Sequence, residues 1–285
     1  MHCLHDQQLL GSRTLNLSLL DLLVFGERGA FSAGSCPGGV RWWFREQFAL
    51  LKFLRIWSFL SSGGSMGENK MRRVYHFIKS GHGLDNVQKK RLKISTILGL
   101  NDPFEMFSHD VKNPSIRELS KLSRQFFNRE FGIICFSKSS YSPVQWAHYS
   151  ERNTGLCLGF DIREDLLMDV KYLDERVKGV SFPTDPRFTE RWMRDVLSTK
   201  YSAWKYEDEA RCFARLEVEE NGLYFKGFDK GLILKEIQVG FQSEVTRAQV
   251  ASAVGDDYGC VESFKVRPAF GSFQMVRNKD ESLWI

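Results

Sequence analysis

Trp204-Lys205-Tyr206-Glu207-Asp208-Glu209-Ala210-Arg211 runs directly into the apolar segment Cys212-Phe213-Ala214-Arg215-Leu216. Read as a strand over 207–216, its side chains alternate between faces with period two, so Glu207, Glu209 and Arg211 share one face. Trp204 and Tyr206 stand just before it. Three charges framed by aromatics form one of two things. One is a solvated cross-strand ion-pair surface, contributing under about 1 kcal/mol per pair. The other is the floor of a site. Paired carboxylates beside aromatic rings suit a reaction with a cationic, oxocarbenium-like transition state, because a carboxylate holds a sugar hydroxyl and stabilises the developing charge.

The segments around this stretch decide the fold class. Upstream, Asp185-Pro186 opens the longest helix pattern, with Phe188, Trp192, Met193, Val196 and Leu197 on one face, ending near Tyr201. Residues 72–78 are rich in β-branched and aromatic side chains and read as a strand, broken by Gly81-His82-Gly83. A short helix over 84–90 and a strand over 92–96 follow. Asn101-Asp102-Pro103-Phe104-Glu105 is turn chemistry, because Asx side chains bond their own backbone and Asp102 before proline is kept out of the helical region. Asn113 suits an N-cap and Pro114 a first helical position, ahead of the apolar stripe Ile116, Leu119, Leu122 and Phe126. Continuous apolar strands at 132–137 and 155–161 flank a short helix at 143–150, and a further strand covers 167–173. Strands at 223–228 and 232–240, a helix at 243–254, and strands at 260–266 and 273–276 complete the chain. Strands and helices mix without regular β-α alternation. The expected class is α+β, a single mixed or antiparallel-sheet domain with flanking helices over 66–285.

Residues 1–65 differ in kind. Two short apolar runs, broken by Asp21 and by Lys52 and Arg55, are separated by Gly34-Ser35-Cys36-Pro37-Gly38-Gly39 and closed by Ser61-Ser62-Gly63-Gly64-Ser65. Neither run matches a signal peptide or a membrane span. The expectation is a poorly ordered or artefactual extension, with translation starting at Met66 or Met71. The rival is an amphipathic surface anchor built on Trp42, Trp43 and Phe44.

With 285 residues, 42% hydrophobic and 26% charged, the chain has a globular composition, and its formal charge of +5 is mild. Lys89-Lys90-Arg91 is a short basic cluster that nothing extends, so composition does not argue for a dedicated nucleic-acid binder. Six cysteines occur, none in a C-x-x-C pair, which leaves a zinc site without support and reads as a reduced, cytoplasmic protein. No Walker loop, G-x-G-x-x-G, G-x-S-x-G or H-E-x-x-H motif is present. Asp102, Glu105, His109 and Asp110 offer metal ligands without diagnostic spacing, so metal is not expected. His76, mid-strand between Tyr75 and Phe77, is either a pocket residue or a half-exposed strand histidine. Trp146 beside His148 and Tyr149 reads as core packing. Ser137 closes an apolar strand.

In order along the chain, Val74-Tyr75-His76-Phe77, Leu100-Asn101-Asp102-Pro103-Phe104-Glu105, Ile134-Cys135-Phe136-Ser137, Gln145-Trp146-Ala147-His148-Tyr149, Gly155-Leu156-Cys157-Leu158-Gly159-Phe160-Asp161 and Trp204–Arg211 resemble a bacterial family. It is the domain-of-unknown-function family numbered twenty-nine seventy-one, and Leu234–Gly240 also fits its pattern. A second likeness is to the ADP-ribosyltransferase superfamily, through the aromatic-His first strand, the strand-ending Ser and the late Glu-x-Glu. That resemblance implies NAD as cosubstrate. His76 would hold it, Ser137 would be the polar residue of the middle strand, and Tyr75 or Tyr206 would stack on the nicotinamide. Glu209 would be the catalytic acid, with Glu207 aiding the acceptor. Ser137 is followed by Lys138 and Ser139 rather than by a Ser-x-Ser strand, a departure from the pattern. The implied function is an intracellular bacterial ADP-ribosyltransferase-like enzyme of a phage-defence or toxin system. Its partners would be a nucleotide or NAD, with nucleic acid as a possible acceptor and no membrane. The alternative is a non-catalytic sensor that binds a nucleotide or a phage component.

Overall fold

The computed structural model describes residues 70–178 and 194–284, all within the unit Ala49–Ile285. The readings of 1–65 and of a helix opening at Asp185-Pro186 lie outside the described residues, apart from a helical turn at 194–197.

The fold is α+β, built on one large mixed sheet. In chain order the strands and helices are β1 (Met71–Ile78), α1 (Ser80–Gln88), β2 (Arg91–Thr96), α2 (Pro114–Glu130), β3 (Phe131–Ser137), α3 (Pro143–Tyr149) and β4 (Leu156–Arg163). Next come β5 (Leu167–Asp169), β6 (Lys171–Leu173), β7 (Thr199–Tyr201), β8 (Glu209–Arg215), β9 (Glu219–Glu220) and β10 (Leu223–Gly227). β11 (Leu232–Val239), α4 (Arg247–Val254), β12 (Glu262–Pro268) and β13 (Met275–Arg277) close the chain. The sheet order is β13-β12-β11-β4-β1-β3-β2-β10-β9, and β8 lies along β3 with β5 on its far side. All pairs are antiparallel except β11 with β12. β6 and β7 form a separate parallel pair.

Several local expectations shift for physical reasons. Gly81-His82-Gly83 does not break the chain but lies inside α1, whose start brings Gly83 against Leu156 and Ile78. Asn113 does cap α2, its side chain accepting from the Ser115 and Ile116 amides. The buried line of α2 is Ser120, Ser123 and Phe127, one position round from the apolar stripe. The 167–173 run divides at Val170 into β5 and β6, which join different sheets. α4 begins at Arg247, because Thr246 and Gln249 form a reciprocal capping box there.

The pleat sorts the core. Even-numbered residues of β4 and β8, Leu158, Phe160 and Ala210 among them, pack with Val87 of α1 and Val250 of α4 on one face. The opposite face carries two separate apolar patches. One gathers Phe127 of α2 with Ile133, Val196 and Leu197; the other gathers Trp146 of α3 with Cys157 and Phe264. Tyr75 and Phe77 flank the second patch, and Cys135 the first. The polar residues of the candidate site fill the gap between them.

Candidate functional site

The gap exists because the sheet forks. β3 shares its length with β8 but meets β1 at the single pair Tyr75↔Ser137, and it meets β2 only at Ser95↔Ile133 and Thr96↔Gly132. Gly132 permits that second contact, since a Cβ there would lie 2.7 Å from the Ser95 carbonyl. Between the diverging β1 and β2, over β3, lies a cleft of about 300 Å³.

Ser137 pairs with Tyr75 on one side and with Glu209 on the other. Three neighbouring strands thus line up Tyr75, Ser137 and Glu209 on one face, at the spacing of about 5 Å between directly opposed Cβ atoms. The pleat sends His76 to the other side of β1, yet it lines the same cleft where β1 leaves β3. Its Nδ1 lies 2.9 Å from the Cys135 carbonyl. A carbonyl only accepts, so Nδ1 carries the proton and Nε2 of the neutral ring is an acceptor. Burial lowers the His76 pKa and so favours the neutral ring, against the opposing effect of the Cys135 hydrogen bond. Ser137 Oγ accepts from Gln145 Nε2 at 2.9 Å and from the Ser139 amide at 3.1 Å. Gln145 also reaches the carbonyls of Tyr206 and Glu207, tying α3 to the opening stretch.

Glu207 does not belong to the strand. Ser202–Glu207 is a 3-10 helix, and Asp208 turns the chain in the left-handed region at φ 42° before β8 begins. Asp is among the few residue types that accept this conformation, and Lys138 holds the turn by donating its amide to the Asp208 carbonyl at 2.9 Å. The turn brings the Glu207 and Glu209 carboxylates to one ammonium: Lys200 Nζ lies 2.5 Å from Glu207 and 3.4 Å from Glu209. Glu207 also accepts from the Tyr149 hydroxyl. Glu209 accepts from Arg211 Nε at 2.9 Å, and Arg211 forks onto Glu105 at 2.7 and 2.9 Å.

Every member of this chain is nearly buried, with Arg211 at 0% and Glu209 at 3% side-chain exposure. Burial alone would raise the Glu209 pKa; Arg211 and Lys200 outweigh it and hold it at about 2. Lys200 is raised although burial opposes its charge, because both carboxylates face it. Burial pushes the Cys135 thiol well up, with Glu209 adding to it, and burial with Glu207 does the same for Tyr149. Three carboxylates (Glu105, Glu207, Glu209) against two cations (Lys200, Arg211) leave one net negative charge.

Of the residues singled out in the sequence, Tyr75, His76, Ser137, Glu207 and Glu209 line this cleft. Tyr206 does not. It packs against Trp204 at 6.2 Å between ring centroids and against His148 at 5.6 Å, its hydroxyl 3.2 Å from His148 Nδ1. The aromatic at the cleft from this region is Tyr149 instead. Lys200, Gln145 and Glu105 complete the wall; a lone Lys after a helix or a Gln in a short helix reads as surface, and Glu105 stood out only as a metal-ligand candidate. Asp102 accepts from the Phe104 amide and Glu105 from Arg211. Among the described residues no group of His, Cys, Asp and Glu has a metal-holding arrangement, and no helix is long and apolar enough to cross a membrane. No family model, curated protein or solved structure matches the chain.

Proposed function

We propose that this protein is an NAD-dependent ADP-ribosyltransferase-like enzyme, acting inside a bacterial cell. The supporting observation is the convergence of His76, Tyr75, Ser137 and Glu209 from three neighbouring strands on one forked-sheet cleft. About 300 Å³ is the lower end of ligand-pocket sizes and suits the nicotinamide-ribose half of the dinucleotide. In this reading the Nε2 acceptor of His76 takes a ribose hydroxyl, and Tyr75 or Tyr149 packs on the nicotinamide ring. Glu209, ionised throughout the physiological range, stabilises the ribosyl cation as the bond from C1′ to the nicotinamide nitrogen breaks and its electron pair leaves with nicotinamide. The acceptor's lone pair then bonds C1′, and its proton passes to Glu207. A nucleic acid or a protein serves as acceptor, in a toxin or phage-defence setting.

A second reading has one observation in its favour. Both Glu209 oxygens are already engaged by Arg211 and Lys200, which suits a rigid nucleotide-binding sensor as well as a catalyst. Incubation with NAD radiolabelled on its adenylate half plus bacterial lysate separates the two. Transfer of label to acid-insoluble material, abolished by Glu209→Gln and unchanged by Glu219→Ala, is the expected result. NAD that binds but is never consumed would leave the sensor.

A further inference from the structure

Lys200 walls the cleft and also a second pocket of about 210 Å³, lined by Phe104, Phe107, Tyr201 and Arg176. Arg176 in turn walls a shallow basic depression with Lys112, Arg117 and Lys178. Neighbouring hollows thus share one wall residue each, Lys200 between cleft and aromatic pocket and Arg176 between aromatic pocket and basic surface. Backbone bonds between two distant segments build this path: the Val177 amide donates to the Ser108 carbonyl at 3.0 Å, and the Asp110 amide to the Val177 carbonyl at 2.9 Å.

The side chains along the path are exposed where a folded core would bury them. Phe104 is 50% and Tyr201 51% exposed, and the Arg176 guanidinium lies 4.8 Å over the Phe104 ring. Of the charges, Lys178 is taken by Glu175 at 2.7 Å and Lys112 approaches Asp110 at 3.9 Å. Arg117 and Arg176 have no carboxylate at ion-pair distance among the described residues. One face of Phe104 carries Arg176 and one of Phe107 carries Arg124 at 5.2 Å; a nucleobase stacks on an aromatic ring as a guanidinium does, and guanidinium forks match phosphate oxygens. An acidic peptide would use the arginines but leave the aromatic pocket empty.

We propose that this path is a binding track for single-stranded nucleic acid, with one base in the pocket of Phe104, Phe107 and Tyr201 and the backbone phosphates at Arg176 and Arg117. Its role as the acceptor track rests on the transferase reading above; the binding itself does not. Asp174 lies on the same rim, so affinity is modest and strongly salt-dependent.

The test is fluorescence anisotropy of the full chain, without NAD, with a fluorescein-labelled single-stranded oligonucleotide of about twenty nucleotides, long enough to fill a typical single-strand site. Arg117→Glu with Arg176→Glu is expected to weaken binding at least tenfold. Two lost phosphate contacts take about 1.4 off the slope of log affinity against log salt. Tyr201→Ala weakens binding without changing that slope, which a purely electrostatic contact would not do. Should the double charge reversal fail to fold, Arg117→Gln with Arg176→Gln, set beside Tyr201→Ala, carries the same comparison. No binding at low salt, binding indifferent to both sets of changes, or equal affinity for duplex overturns the track. Oligonucleotide binding with no NAD consumption would refute the transferase reading alone; NAD consumption with no oligonucleotide binding would refute the track alone.

Discussion

At the scale of single residues, the site is a chain of buried charges whose members depend on one another. Removing one partner of such a network leaves the other desolvated and unpaired, at a cost of about 3–5 kcal/mol. Glu209→Gln therefore lowers the melting temperature as well as abolishing label transfer, and calorimetry beside the transfer assay separates the two effects. Its pH dependence has a definite sign. Glu209 titrates at about 2 in the folded chain against an ordinary value of 4.5. The unfolded state binds the proton first as pH falls, so the stability it contributes is whole above 4.5 and is lost on descending to about 2. Acid unfolding curves of the wild type fall more steeply in that window than those of Glu209→Gln; superimposable slopes would contradict the pairing with Arg211 and Lys200. His76 shows how far residue type alone reaches. Its place in the strand was legible, while its tautomer depends on the Cys135 carbonyl, fifty-nine positions away.

At the scale of elements, the decisive piece is the turn at Asp208. A period-two reading puts Glu207 and Glu209 on one strand face, whereas the chain joins a 3-10 helix to β8 through a left-handed residue and brings the carboxylates together by another route. Asp208→Val is β-branched at a positive φ and costs about 1–3 kcal/mol. It also moves Glu207 off Lys200, so transfer falls further than melting temperature does, while Asp208→Gly keeps both near wild type. Helix α2 offers a control far from the chemistry. Asn113→Ala removes a cap that accepts from two amides, lowering stability by about 1 kcal/mol with transfer unchanged per folded molecule, as thermal melts and the same assay would show.

At the scale of the whole molecule, the forked sheet makes the cleft, and a ligand that fits it stabilises the fold by mass action. NAD at a hundredfold its dissociation constant adds about 2.7 kcal/mol to unfolding free energy. A rise in melting temperature with NAD, absent in Glu209→Gln with His76→Ala, is the expected outcome, and no rise at saturating NAD would remove NAD as ligand. The α+β class, the buried strands β3 and β4, the cap at Asn113 and the polar face of β8 follow from local chemistry: alternation, capping side chains and turn residues act over a few positions, so the amino-acid order by itself determines them. Which residues share the cleft was settled only by tertiary structure. Lys200 is buried because Glu207 and Glu209, folded back onto it by the turn at Asp208, offset its desolvation, and Arg211 because Glu105, over a hundred positions away, meets it. Tyr206 was displaced from the cleft by a 3-10 turn, and Arg117 and Arg176 became neighbours through a backbone bridge between distant loops. The meetings of Glu105 with Arg211 and of Arg117 with Arg176 are non-local, and no periodicity in one segment encodes the partner that another will supply.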